Sequence, residues 1–158
     1  MAYVINYAKG GGMLWEKYRH ESKQTICIIG VLILAAKLCK ADGHFSKSEE
    51  EAILEAMPHE PRQKKIILKI LDEAGVDKNS IEYHAERINK LLIEHKSFRK
   101  FIIAFLYHLA HSDHIYSEEE DNNIRKVAAV FDIKKTYFEK VEFYLKNLFN
   151  KRESNAQS

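Results

Sequence analysis

Asp42-Gly-His-Phe-Ser-Lys-Ser-Glu49 and Asp113-His-Ile-Tyr-Ser-Glu-Glu-Glu120 are two versions of one stretch. In each, a serine (Ser46, Ser117) stands four positions after the aspartate, and a glutamate stands seven positions after it. The apolar positions around them keep the same register. Val31 pairs with Ile102, Leu32 with Ile103, Leu34 with Phe105 and Leu38 with Leu109 before the corner; Phe45 pairs with Tyr116 in it, and Ile53 with Ile124 and Ala56 with Val127 after it. Residues 29–57 and 100–128 are therefore two copies of one helix–corner–helix element.

The rest of the chain reads as helix around these copies. A short helix is expected at 13–21, a long one at 23–40 and another at 46–57. Pro61 suits the first turn of the next helix, where its missing N–H costs nothing. Ile66, Ile67, Ile70, Leu71 and Ala74 share its face, and Gly75 is expected to end it as a left-handed cap. A further helix starts near Asn79 or Ser80 and presents Ile81, Ala85, Ile88, Leu91 and Leu92. The second long helix runs from Ser97 to His111, and its partner covers 117–130. After the turn Phe131-Asp132-Ile133, a last helix at 136–149 buries Phe138, Val141, Leu145 and Leu148, and an exposed part of it is a candidate docking face. No alternating strand pattern of useful length occurs. The fold class is all-α, with seven to eight helices and two pseudo-symmetric repeats. Residues 1–12 read as a flexible leader, 13–150 as one helical domain, and 151–158 as a disordered tail or linker.

Composition excludes more than it assigns. A chain of 158 residues with 46% hydrophobic and 30% charged residues can bury one ordinary core. The net charge of +2, with Lys and Arg spread along helices, makes no case for nucleic acid. The longest apolar run, Ile26–Ala36, falls well short of the roughly 20 residues of a transmembrane helix and reads as a buried core helix. Cys27 and Cys39 lie on one helix about 18 Å apart at 1.5 Å per residue, too far for a disulfide. They read as buried thiols in a reducing, cytoplasmic compartment.

The acidic corners carry two readings. Ser46 with Glu49 and Ser117 with Glu120 each form a capping-box pattern, the serine accepting from the third amide of the helix and the glutamate reaching back to the cap. The other reading brings Asp42, Glu49, Asp113 and Glu120 together. Two carboxylates about 4 Å apart repel by roughly 4 kcal/mol at an effective dielectric of about 20, so four of them require a cation, bound protons or a basic partner. Oxygen donors of this kind suit Ca²⁺, Mg²⁺ or Mn²⁺. The spacing is not that of an EF-hand, which places its last glutamate at position 12 of the loop.

Other chemistry is sparse. His108, His111 and His114 recur every third residue near a helix C-terminus, where the dipole favours imidazolium; as a transition-metal set they are incomplete. No nucleophile elbow, zinc-type cysteine pair or nucleotide-binding glycine loop is present, and no catalytic residue is assigned. A deep pocket holding a histidine and a carboxylate away from the corners would be the mark of an enzyme.

The run AKLCKADGHFSKSEEEAI (36–53), followed by HLAHSDHIYSEEEDNNIRKVAAVFDI (108–133), resembles the TerB-like helical family. That family includes tellurite-resistance TerB proteins and the domain preceding the J domain in DjlA-type, membrane-anchored DnaJ-like co-chaperones. The resemblance covers about residues 20–148. It implies a duplicated all-helical fold and a non-enzymatic module that docks a protein partner. Alternatively, it implies a stress-response protein binding a divalent metal through Asp42, Glu49, Asp113 and Glu120. Two features depart from the pattern. His114 replaces Gly43, which costs on the order of 1 kcal/mol where φ is positive. The chain contains no His-Pro-Asp, so it carries no J-domain activity itself. The expected location is the cytoplasm, at the inner face of a membrane where the chain forms part of a longer anchored protein.

Overall fold

The computed structural model describes residues 13–39, 47–111 and 117–134, together with 136, 137, 139, 140, 143 and 147. Seven α-helices and no strand occur among them: α1 (Met13–Glu16), α2 (Lys23–Cys39), α3 (Lys47–Ala56), α4 (Lys64–Val76), α5 (Ile81–Leu91), α6 (Lys96–Ala110) and α7 (Glu118–Val130). A 3-10 turn at Pro61–Gln63 leads into α4. The class is all-α. The expected leader 1–12, both corners with Asp42, Ser46, Asp113 and His114, and the tail 151–158 lie outside the described residues. Most of the expected last helix lies there too, including Phe138, Val141, Leu145 and Leu148.

Helix α2 is the hub. It is apolar nearly all round, as a helix buried on every side must be. Ile33, Leu34, Ala35, Ala36 and Leu38 are fully buried. It packs against α4, α5, α6, α7 and α3. No helix among the described residues is long and apolar enough to cross a membrane. The repeat register reappears as core. Val31, Leu32, Leu34, Leu38 and Ile53 are buried, and so are Ile102, Ile103, Phe105, Leu109 and Ile124. Burying a side chain of this kind is worth about 1.5–3 kcal/mol, so the duplicated positions contribute substantially to the stability of the bundle.

One glycine sets a close approach. A Cβ on Gly30 of α2 would lie 2.7 Å from Cγ1 of Ile88 on α5 and 3.2 Å from the Trp15 ring. The absence of a side chain there lets α1, α2 and α5 meet. Gly75, by contrast, does not end its helix as expected. Helix α4 runs on through Val76, and the chain leaves it at Asp77, whose ψ of 138° is extended. Tertiary partners of Asp77, described below, fix the exit, so no left-handed cap is needed.

The C-terminus of α7 does use the left-handed conformation. Asp132 has φ 54°. The Asp132 amide donates to the Ala129 carbonyl at 3.1 Å and the Ile133 amide to the Ala128 carbonyl at 3.0 Å. This is a Schellman motif with aspartate in the place glycine usually takes. It makes the Phe131-Asp132-Ile133 turn and tucks Phe131 into the core.

Candidate functional site

At the second corner, Ser117 accepts from the Glu120 amide at 3.0 Å, while Oε1 of Glu120 accepts from the Ser117 amide at 3.3 Å and from its hydroxyl at 3.0 Å. The capping box is complete. Four acidic residues, Glu118–Asp121, fill the first turn of α7, where the helix dipole favours them. Glu49 is half-buried in the equivalent first turn of α3. Asp42 and Asp113, the other half of the four-carboxylate set, lie outside the described residues. No three His, Cys, Asp or Glu side chains converge to hold a metal among the described residues.

Of the two described histidines of the triplet, His111 serves the helix. His111 is the C-cap of α6, its Nδ1 lies 2.8 Å from the Tyr107 carbonyl, and its ring stacks on Tyr107 with centroids 5.7 Å apart. Tyr107 is fully buried and donates its hydroxyl to Asp121 at 3.3 Å. His108 is half-buried one position further on.

The most developed polar arrangement was missed by sequence reasoning. His84 of α5, which stands in no metal-ligand spacing with another histidine, is fully buried. Its Nδ1 accepts from the Trp15 indole at 2.9 Å, and its Nε2 lies 2.8 Å from Oδ2 of Asp77. An indole N–H is a donor only, so Nδ1 must be the acceptor and Nε2 carries the proton given to Asp77. Lys37 of α2 completes the chain, 3.3 Å from Oδ2 of Asp77 and donating also to the Asp77 carbonyl. The Arg87 guanidinium covers the Trp15 ring at 5.6 Å. Burial holds the His84 imidazole below its usual range, against the pull of the Asp77 carboxylate. Burial raises the Asp77 carboxyl, but the hydrogen bond from His84, the Asn79 amide and Lys37 outweigh it and hold it below the usual range.

This pair is a histidine and a carboxylate in contact, the combination that would mark an enzyme. Its geometry is structural. Both ring nitrogens are occupied and the ring has no exposed surface, so neither nitrogen is offered to a substrate. The only sequence signal was a tryptophan and a histidine on the apolar faces of their helices.

Concave surface lies elsewhere, on both flanks of the α6 N-terminus. On one flank, a groove of about 680 Å³ is lined by Cys27, Ile28 and Val31 of α2, Met57 and Pro58 after α3, and Leu92, Phe98 and Phe101 around the start of α6. Ile28 is 40% exposed and Phe101 57% exposed, and Phe101 stacks on Phe98 at 5.5 Å. The polar members are Lys23, Gln24, His95 and Ser97, with no carboxylate. Burial pushes the Cys27 thiol up, which leaves it an inert part of the groove wall. The expected docking face on the last helix is represented among the described residues by Phe143, which is exposed. The second flank is a basic cavity that includes Asp132.

Neither a curated protein nor a solved structure matches the chain. The family model described as tellurite resistance protein TerB matches residues 29–142, starting where the first copy starts and running past the end of the second. With most of the chain matched and both repeats inside the match, this protein belongs to the TerB family.

Proposed function

We propose that this protein is a non-enzymatic docking module and that the groove between α2 and α6 receives an amphipathic helix of a partner protein. The observation that supports it is the open apolar lining, with Ile28 and Phe101 left exposed beside the Phe98–Phe101 stack. An apolar groove of this size suits two or three anchor side chains spaced at i, i+3 and i+7. Its mouth offers Lys23 and His95 and no carboxylate. The partner helix therefore carries an acidic rim around its apolar stripe. This role is of the kind filled by the domain that precedes the J domain in DjlA-type co-chaperones, where a helical module recruits or positions a partner.

The test is an NMR titration with a synthetic helix carrying leucines at those spacings and glutamates beside them. Shifts centred on Ile28, Phe98 and Phe101, with micromolar affinity, support the assignment. Weaker binding of a lysine-rimmed version supports the charge argument. Concentration-dependent self-association through the same residues would assign the groove to a second copy instead and overturn the proposal.

A divalent-cation role is the alternative reading. Glu49 and Glu120 occupy equivalent half-buried first turns of α3 and α7, which favours it. Calorimetry with Ca²⁺, Mg²⁺ and Mn²⁺ tests it, and no heat at millimolar metal removes it.

A further inference from the structure

The cavity on the other flank of the α6 N-terminus, about 530 Å³, gathers five cations around one carboxylate. Lys96, Arg99 and Lys100 come from the first turns of α6, and Lys134 and Lys140 from the segment after α7. Asp132 is the one acidic residue of the lining. None of the five cations forms an ion pair among the described residues.

Two further observations point inward. The first turn of α6 is uncapped by any side chain and contains no acid, although His95 holds the N-cap position. Lys and Arg at a helix N-terminus oppose the dipole, so this arrangement is unfavourable until an anion joins it. Arg99 adds a buried Nε with no acceptor. Among the described residues its only hydrogen bond is a long one, 3.4 Å from a terminal guanidinium nitrogen to the Asn89 carbonyl. A buried donor left unmatched costs about 1–3 kcal/mol, so the Arg99 guanidinium is incompletely satisfied where it lies. Lys100 lies 4.8 Å from the Tyr137 ring centre, which holds its ammonium at the cavity wall.

We propose that this cavity binds a phosphate-bearing small anion, with Arg99 as the anchoring fork and the α6 N-terminus and flanking lysines sharing its charge. Several cations of mixed type around one helix N-terminus fit a group of charge −2 or more with oxygens pointing in several directions. A planar monocarboxylate would use only the guanidinium. The volume admits a diphosphate with a small attached group.

The experiment titrates the full chain with pyrophosphate at low salt, against chloride at matched ionic strength, and follows amide shifts. Saturable shifts at Arg99, Lys134 and Tyr137, with affinity below millimolar, are expected. R99Q is expected to weaken binding at least tenfold. R99K, which keeps the charge and loses the planar fork, weakens it nearly as much. D132N tightens it several-fold. The exposed pair K134Q/K140Q guards against a folding artefact and weakens binding with the thermal midpoint unchanged. A parallel arm uses phosphatidylcholine vesicles with and without phosphatidate. Sedimentation with the phosphatidate vesicles, lost in R99Q, identifies the source as a lipid headgroup; pyrophosphate binding alone identifies a free phosphate. Shifts spread over all surface lysines, or equal in chloride, overturn the proposal.

Discussion

Trp15 of α1 donates its indole N–H to Nδ1 of His84 across 69 residues of chain, at 2.9 Å. That bond fixes the imidazole as the neutral Nε2–H tautomer, because a second proton would sit on the nitrogen that Trp15 needs. The ring then gives its one proton to Asp77, and Asp77 receives Lys37. The network joins α1, α2 and α5 to the exit of α4.

The pH dependence follows from the sign of the shifts. The folded-state pKa of His84 is depressed by burial, while the unfolded chain takes its proton near pH 6.5. Below that value the unfolded state binds more protons, so stability falls as pH drops from about 7 toward the folded pKa. Asp77 acts in the same direction at lower pH. Its folded pKa is also depressed, and its contribution, complete above the ordinary carboxylate value, is lost as pH falls through the folded one. Urea unfolding from pH 8 to 5 should show this decline. H84Q should flatten its upper part while costing on the order of 3 kcal/mol at pH 7.5, since it disturbs both the Trp15 donor and the Asp77 acceptor. An undiminished slope in H84Q would contradict the assignment.

Gly30 predicts a coupling. G30A places a methyl 2.7 Å from Cγ1 of Ile88 and should cost about 1–3 kcal/mol, more than the helix propensity it gains. I88A alone opens a cavity and costs about 2–5 kcal/mol. The double variant should be less damaging than the sum by at least about 0.5 kcal/mol, because the new methyl enters the space vacated. Additive losses in a denaturation cycle would mean that the helices meet differently.

Ser117 separates capping from metal binding. S117A removes the acceptor for the Glu120 amide and should lower stability by about 1 kcal/mol. With capping as the role of this corner, the loss is equal in chelator and in millimolar Ca²⁺ or Mn²⁺. A loss that grows with added cation would favour the four-carboxylate reading.

Asp132 sits at φ 54°, which glycine adopts without the penalty of a Cβ. D132G should therefore raise stability by roughly 0.5–1 kcal/mol despite the added freedom of the unfolded chain. A thermal midpoint that falls would show that the aspartate side chain holds the turn.

Much of this molecule was legible in sequence because its signals are local. Ser80 and Ser117 cap where the sequence places caps, Pro61 opens the segment leading into α4, and the repeat pairs from Val31/Ile102 to Ile53/Ile124 are core. What escaped depends on contacts distant in sequence. Gly75 looked like a helix end, but Asp77 is the exit because His84 and Lys37 hold it. His84 carried no spacing signal, since its partners come from α1 and from the end of α4. Lys96, Arg99, Lys100, Lys134 and Lys140 read as spread along the chain; folding gathers them on one cavity. The groove is equally nonlocal, built from the start of α2, the end of α3 and the start of α6. Asp42 and Asp113, which motivated the metal reading, lie outside the described residues.

The docking groove is tested most directly by the affinity of the acidic-rimmed helix for wild type and for F101E, measured by isothermal titration. Phe101 is 57% exposed, so the substitution should leave the thermal midpoint nearly unchanged. The account predicts micromolar binding to wild type and at least a tenfold loss in F101E. Equal affinity for the two proteins, with the fold intact in both, would contradict it.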